Sequence, residues 1–327
     1  MAAFRSWSER ARLVSSFVVL CVASVVLCDP LCQETTPFHY DHPQLTCSDF
    51  TSAEELDRNV PERSSDGGKL ELVLKDSRLE LIPREAFKRV KPSTLVLSNV
   101  TVGSYRTSSE SDASSVFGEL QDTLEKLVFH KNSSLPESWS LLKGNRALKE
   151  LLLFRMASLR LGRDFNELPA SVRDVAVVQS TVSGVDDRWL SSMDNLENLR
   201  IDKVDLDRFE RTMLPRPAGK LKYLTITGTR LSALPDDFAL DFPALERLNL
   251  RRNKITTFKE GALAPLKNGK VDVQLTGNPL ECGCHVLFLL GYPDSWQYPN
   301  CETPAALAKT PLRELTPDRL SCGAPEK

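Results

Sequence analysis

Apolar residues recur along most of this chain in a short pattern, in which two apolar positions flank one variable position. The pattern returns at intervals of about 24 residues, a length typical of repeats that contain one strand and one return segment. Its first apolar residues are Leu72, Leu95, Leu127, Leu151, Val175, Leu199, Leu224, Leu248 and Val273. Because side chains alternate along a strand, both apolar positions of a copy point to one side. We therefore predict about nine stacked strands that share one core.

One interval, between Leu95 and Leu127, is longer than the others. It contains a polar, serine-rich stretch, GSYRTSSESDASS, at residues 103–115. Such composition between two periodic segments is typical of a surface loop. We predict a repeat domain over residues 70–278 with an insertion loop at 103–115.

The clearest copy, LERLNLRRNKITTFKEGAL at Leu245–Leu263, resembles the leucine-rich repeat of extracellular proteins. The resemblance implies an α/β solenoid: a leucine-rich repeat horseshoe with a parallel sheet on its concave face, about nine repeats and disulfide caps. It also implies a ladder of asparagines that bond the backbone where each repeat leaves its strand. The corresponding positions here are Ser77, Val100, Asn132, Met156, Ser180, Val204, Thr229, Asn253 and Asn278. The apolar members cannot make these bonds, so backbone or water satisfies their turns, or the register differs there by one residue.

The first 28 residues predict a secretory signal peptide. Arg5, Arg10 and Arg12 precede a mostly apolar run from Leu13 to Leu27, the arrangement typical of such signals. The run is shorter than the roughly 20 residues that a membrane-spanning helix needs. We therefore expect a secreted, extracellular protein without a membrane anchor.

Six of the eight cysteines lie outside the predicted signal, which is an even number for an exported chain and predicts three disulfides. The number alone leaves many pairings open. A segment beginning Asn278-Pro-Leu-Glu resembles the cysteine-rich C-terminal cap of extracellular leucine-rich repeat proteins, here residues 279–327. That resemblance implies the pairs Cys282 with Cys301 and Cys284 with Cys322. Zinc binding by the Cys-x-Cys motif is the less favoured alternative.

The N-terminal cap is predicted at residues 29–69, where Cys32 would pair with Cys47. The spacing of Thr51 and Glu54 fits a capping box and predicts a short helix. The run CSDFTSAEEL, at 47–56, is similar to secreted arthropod leucine-rich repeat proteins, among them the non-catalytic subunit of a shrimp luciferase.

Charge and motifs argue against several function classes. The formal net charge is -2 at pH 7, which does not favour binding to nucleic acid or to a membrane surface. The chain contains no nucleophile elbow, phosphate-binding glycine loop or metalloprotease motif. His130 falls in a predicted strand, and no serine or cysteine nucleophile is assigned to the neighbouring positions. We expect no enzymatic activity, no cofactor and no metal.

Three adjacent repeats place apolar residues at the variable positions, which face away from the core. The predicted protein-binding residues are Val128, His130, Leu152, Phe154, Ala176 and Val178, with Lys131 and Arg155 as a basic border. Buried aromatic anchors with a polar rim are typical of protein interfaces. Two alternatives remain open: β-branched residues suit strands in any case, and a register error would bury Leu152.

Two glycosylation sequons occur, at Asn99 and Asn132. Asn132 falls in the ladder column, so we expect it to face inward and stay unmodified. Asn99 falls at the margin of the inner face, where we expect a glycan.

The sequence therefore predicts a secreted, non-enzymatic module that binds a protein partner through its concave face. One alternative is a non-catalytic subunit that stabilises a secreted enzyme. Another is an immune or matrix recognition protein that binds glycans, although the inner face offers few aromatic residues beyond Phe154 and Tyr223.

Overall fold

The computed structural model describes residues 31–35, 42–62, 68–106, 115–320 and 322. Eleven strands form one sheet. They are β1 (Leu31–Thr35), β2 (Gln44–Ser48), β3 (Glu71–Leu81), β4 (Thr94–Ser104), β5 (Lys126–His130), β6 (Glu150–Phe154), β8 (Asp174–Val178), β10 (Asn198–Asp202), β11 (Tyr223–Thr227), β12 (Arg247–Asn249) and β13 (Asp272–Gln274). Two short strands, β7 (Leu159–Leu161) and β9 (Val182–Val185), pair separately, as do β14 (Leu280–Glu281) and β15 (Cys301–Thr303).

The predicted repeat register is confirmed in all nine strands. From β3 to β13 each main-sheet strand pairs in parallel with the next, and the first apolar residues lie directly opposite one another, for example Leu127 beside Leu151 and Leu151 beside Val175. One extra residue in any repeat strand would move its apolar side chains to the other face of the sheet. The leucine-rich repeat horseshoe implied by the resemblance is therefore the fold of this chain.

The N-terminal cap extends the sheet by two strands. β2 pairs in parallel with β3, with Leu45 beside Leu72, and β1 pairs antiparallel with β2. Cys32 lies opposite Cys47 in this hairpin, and the two form a disulfide. Helix α1 (Ala53–Asn59) follows. Its N-cap is Ser52, which corrects the predicted capping box by one residue.

The convex side consists of short return segments whose apolar side chains fill the core. Helices α2 (Arg84–Val90) and α3 (Glu260–Leu263) are the α-helices of this side. The convex side also contains 3₁₀ turns at Val116–Leu120, Trp139–Leu142, Arg163–Glu167, Arg211–Met213 and Ala264–Leu266. A spine of buried aromatic rings crosses the repeats. Within it, Trp139 contacts Phe129 and Phe165, and Phe165 contacts Trp189. This core stabilises the middle of the solenoid without a disulfide among its described residues.

The ladder at the end of the strands alternates between hydroxyl and apolar residues in the first repeats. Each hydroxyl serves the repeat before it. Ser77 Oγ accepts a hydrogen bond from Phe50 N at 3.1 Å, and Ser180 Oγ accepts one from Met156 N at 3.0 Å. A buried backbone N–H needs a partner, and here a neighbouring repeat supplies it. Apolar residues such as Met156 are therefore tolerated in the ladder.

The third repeat corrects the prediction, because its ladder residue is Ser133 and not Asn132. Ser133 is 2% exposed, whereas Asn132 is exposed. Ser133 Oγ accepts a hydrogen bond from Val100 N at 3.0 Å, and it also lies 2.9 Å from Leu97 O. This repeat has one extra residue after its strand, and both Lys131 and Asn132 have positive φ. The extra residue absorbs the turn and places the serine inward.

The C-terminal cap continues from Asn278, whose side chain completes the ladder. It contains 3₁₀ segments at Cys284–Gly291, Ala305–Leu307 and Leu312–Glu314. Two disulfides join Cys282 to Cys301 and Cys284 to Cys322, which are the pairs implied by the resemblance. They close the last repeat against solvent.

Four predicted segments lie wholly or partly outside the described residues, and two of them are the caps at 29–69 and 279–327, which are described only in part. The signal segment at 1–28 lies wholly outside the described residues. The insertion loop at 103–115 is described only at its ends, and its first two residues belong to β4. Gly103 is required there, because a Cβ would lie 2.7 Å from Glu80 O on β3. Within the described part of the chain, no helix is long and apolar enough to span a membrane.

Candidate concave binding site

The predicted apolar residues meet on the concave face in two rows across β5, β6 and β8. Val128, Leu152 and Ala176 lie side by side in one row, and His130, Phe154 and Val178 form the other. We call these six residues the concave patch. Leu152 is part-exposed, so the register error that would bury it is ruled out. Val128 is 8% exposed and forms the floor of the patch, whereas the other five are half-buried.

Two neighbouring side chains contact the Phe154 ring. The His130 ring stacks on it with centroids 4.8 Å apart and an interplanar angle of 17°. The Arg155 guanidinium carbon lies 5.0 Å from the Phe154 ring centroid, a cation–π distance. A ring fixed by two neighbours loses little conformational entropy when a partner covers it. Phe154 is therefore prearranged as an anchor.

The surroundings of His130 favour the neutral form of its imidazole. Burial lowers its pKa, and the nearby Lys131 and Arg155 charges lower it further. An uncharged imidazole can stack on Phe154 without bringing a third positive charge to the patch. The neutral ring therefore keeps the centre of the patch apolar while its border is cationic.

Ser98 corrects the expectation that no serine adjoins His130. Ser98 lies on strand β4, next to His130 on β5, and its Oγ is 3.1 Å from His130 Nδ1. The other ring nitrogen, Nε2, is buried and has no hydrogen-bond partner among the described residues. In catalytic triads a third group orients the histidine, and here no such group bonds Nε2. The hydrogen bond with Ser98 positions the His130 ring, but the described residues do not complete a catalytic triad around it.

Lys131 and Arg155 follow the patch at the C-terminal edge of the strands, and both are exposed. The equivalent residue of every repeat has a left-handed backbone, with φ from 49° to 78°: Asp76, Asn99, Lys131, Arg155, Gln179, Lys203, Gly228, Arg252 and Gly277. Glycine and asparagine adopt this conformation most readily, and other residues pay about 1 kcal/mol. Four basic residues have this conformation despite its cost: Lys131, Arg155, Lys203 and Arg252. We call them the basic column.

Sequence reasoning assigned only the first two members of the basic column to the site. Lys203 and Arg252 occupy the same position in later repeats, and that recurrence was the available signal. The concave face beside them is polar: Arg200 forms an ion pair with Asp202 at 2.7 Å, and Thr227 Oγ1 donates a hydrogen bond to Asp202 Oδ1. The apolar patch is thus confined to the first half of the inner face.

The two sequon asparagines are both exposed. Asn99 Nδ2 donates to Asp76 Oδ1 at 2.8 Å, and Asn132 Oδ1 accepts from Ala157 N. The inward orientation expected for Asn132 is wrong, because Ser133 occupies the ladder position of that repeat. Asn132 therefore has no steric protection from modification.

The described residues contain no group of three or more histidine, cysteine, aspartate or glutamate side chains that could hold a metal ion. The Cys-x-Cys motif considered for zinc is consumed by disulfides.

Comparisons with known proteins agree with this geometry. A family model described as "Leucine rich repeat" matches residues 219–270. The chain is similar to mouse Toll-like receptor 2, with 26% identity over 234 residues, which are 63% of this chain and 28% of the receptor. The matched region thus spans less than a third of that receptor.

Among solved structures, the fold is similar to a chain from an octameric complex of Latrophilin 3, Unc5D and FLRT2, in which FLRT2 contributes the leucine-rich repeats. The TM-score is 0.54 at 21% identity, and the match covers 78% of this chain and 83% of the other. The periodic sheet, the ladder and these similarities together show that this chain is a leucine-rich repeat protein in fold.

Proposed function

We propose that this protein is a secreted, non-enzymatic module that binds a protein partner through its concave patch. The observation that carries the proposal is Phe154, a part-exposed aromatic ring that contacts His130 and Arg155 in the middle of an apolar surface. A prearranged aromatic within apolar surroundings and next to cations is the composition typical of binding hot spots.

Two further observations support the proposal. Three disulfides close the ends of the solenoid, as in proteins of oxidising compartments. The solved complex above contains Latrophilin 3 and Unc5D together with the leucine-rich repeats of FLRT2.

The test is a cross-linked pull-down from the native secreted fluid with purified wild-type protein and the Phe154→Ala variant. We expect the variant to bind the captured partner at least about 30-fold more weakly, because a hot-spot residue contributes about 2 kcal/mol or more. Tyr223→Ala is the matched control, because Tyr223 is an aromatic residue of the same sheet, 38% exposed, outside the patch. Circular dichroism verifies that both variants are folded.

Equal binding by wild-type protein and Phe154→Ala would refute the patch. The identity of the captured protein also separates the two leading functions. A stoichiometric enzyme would make this chain a non-catalytic subunit, and a non-enzymatic partner would make it an interaction module.

A further inference from the structure

We propose that the basic column binds an acidic segment of a protein partner. This inference rests on the proposed function, because it assigns a chemical character to the partner that covers the concave patch. The basic column is Lys131, Arg155, Lys203 and Arg252, at the C-terminal edge of the inner sheet.

The four residues lie along one line of equivalent backbone positions that crosses the repeats. Backbone hydrogen bonds join the line from repeat to repeat: Lys131 N donates to Phe154 O, Arg155 N to Val178 O, and Lys203 N to Thr227 O. Neighbouring strands are about 4.8 Å apart. Lys131 and Arg252 are five strands apart, so the column is roughly 24 Å long.

No member of the basic column forms a salt bridge within the described chain, although the charge of Lys203 contributes to lowering the pKa of Asp202. None of the ion pairs among the described residues includes any of its four members. The opposite, N-terminal edge of the same strands differs. There, Lys222 pairs with Glu197 at 2.8 Å, and Arg247 pairs with Asp272 at 2.8 Å. The C-terminal edge of the inner sheet therefore carries four basic residues outside these ion pairs, on a protein whose net charge is negative.

Two glycines, at the equivalent position of the repeats that follow Lys203 and Arg252, lie against those basic side chains. A Cβ on Gly228 would lie 3.3 Å from Lys203 Cγ, and one on Gly277 would lie 3.1 Å from Arg252 Cγ. Each glycine follows a basic residue by one repeat, so the aliphatic stem of the basic residue lies across it. This contact fixes the stems and directs the charged ends outward.

The dimensions of the column fit an extended polypeptide. At about 3.3 Å per residue, a span of roughly 24 Å corresponds to about seven or eight residues. The column also adjoins the concave patch, since the Arg155 guanidinium covers the Phe154 ring. A ligand that contacts both surfaces must carry apolar groups and anionic groups together. A polypeptide with aspartate or glutamate beside apolar residues has both, whereas a sulfated polysaccharide lacks the apolar part.

Fluorescence anisotropy with a fluorescein-labelled octaglutamate peptide tests the charge assignment directly. We expect saturable binding at low ionic strength that weakens as salt screens the charges, and no binding of an octaglutamine peptide. The double variant Lys203→Gln/Arg252→Gln should bind octaglutamate about tenfold more weakly, since it removes two of four cationic contacts. The control is Lys222→Gln/Arg247→Gln, which makes the same change in net charge at the opposite edge and should bind within about twofold of wild type.

The outcomes separate this inference from the proposed function. Phe154 is outside the basic column, so the Phe154→Ala variant should still bind octaglutamate, whether or not it binds the native partner. Equal affinities of the two double variants would overturn the inference. So would binding of a heparin octasaccharide in the absence of octaglutamate binding, because the ligand would then be a glycan.

Discussion

Replacing Ser133 by alanine tests the ladder position on which the geometry of the basic border depends. The hydroxyl accepts a hydrogen bond from Val100 N, an amide in a residue only 1% exposed. It also lies 2.9 Å from Leu97 O and 2.7 Å from His130 O. Alanine leaves the amide without a partner in a site closed to water. An unsatisfied buried donor costs about 1–3 kcal/mol, so we expect Ser133→Ala to destabilise the fold by about 2 kcal/mol.

Urea unfolding measures this change, because Trp139 and Trp189 are buried in the nearby core and report on its loss. Ser134→Ala is the matched control. Ser134 Oγ accepts from Val102 N at 3.1 Å, but Ser134 is only half-buried, so water can replace the bond and the cost should stay below about 1 kcal/mol.

Ser133→Thr keeps the hydroxyl and should retain most of the stability. Thr229, in the same column, shows that the position accommodates the additional methyl group. Equal unfolding midpoints for Ser133→Ala and Ser134→Ala would refute the assignment of Ser133 to the ladder.

Two further predictions concern titration and modification. Because the pKa of His130 is lowered in the folded protein, the unfolded chain takes up its proton first as the pH falls. The stability that neutral His130 contributes is present above about pH 6.5 and is lost below it. Urea midpoints between pH 7 and pH 5 should therefore decline less steeply in His130→Gln than in wild type; parallel declines would contradict this. Peptide mass mapping of the native protein should find a glycan at Asn99, and an unmodified Asn99 would show that its exposure is insufficient.

Periodicity predicted the stacked strands and their shared core because each repeat carries its own copy of the same constraint, and the resemblance to leucine-rich repeats implied the horseshoe. Nine apolar pairs at similar intervals left one common register, and every strand adopts it. The ladder was less predictable in the third repeat, since Asn132 is the residue that the family places there. The adjacent Ser133 can accept the same backbone hydrogen bond, and the conformation of the turn determines which of the two side chains faces the core. A single-residue insertion carries no signal when both candidates are polar.

The site divides in the same way. The members of the concave patch follow from the register and were predicted from columns of residues. The stacking of His130 on Phe154 and its contact with Ser98 depend on side-chain rotamers, which periodicity does not specify. The left-handed backbone of the basic column could not be predicted either, because none of its four residues is glycine or asparagine. The backbone torsion angles of successive repeats show that these residues share one conformation.

The alternating ladder also bears on how this protein could gain or lose repeats. Ser133 completes the backbone of the repeat that contains Val100, and Ser180 completes the one that contains Met156. In this half of the solenoid, two repeats form one self-sufficient module. Loss of the single repeat containing Ser180 would bring Met156 against Val204, and two apolar residues cannot satisfy the amide between them. Loss of an adjacent pair would leave the alternation intact. Length variation in this region is therefore compatible with the chemistry of the turns in steps of about 48 residues, twice the repeat length.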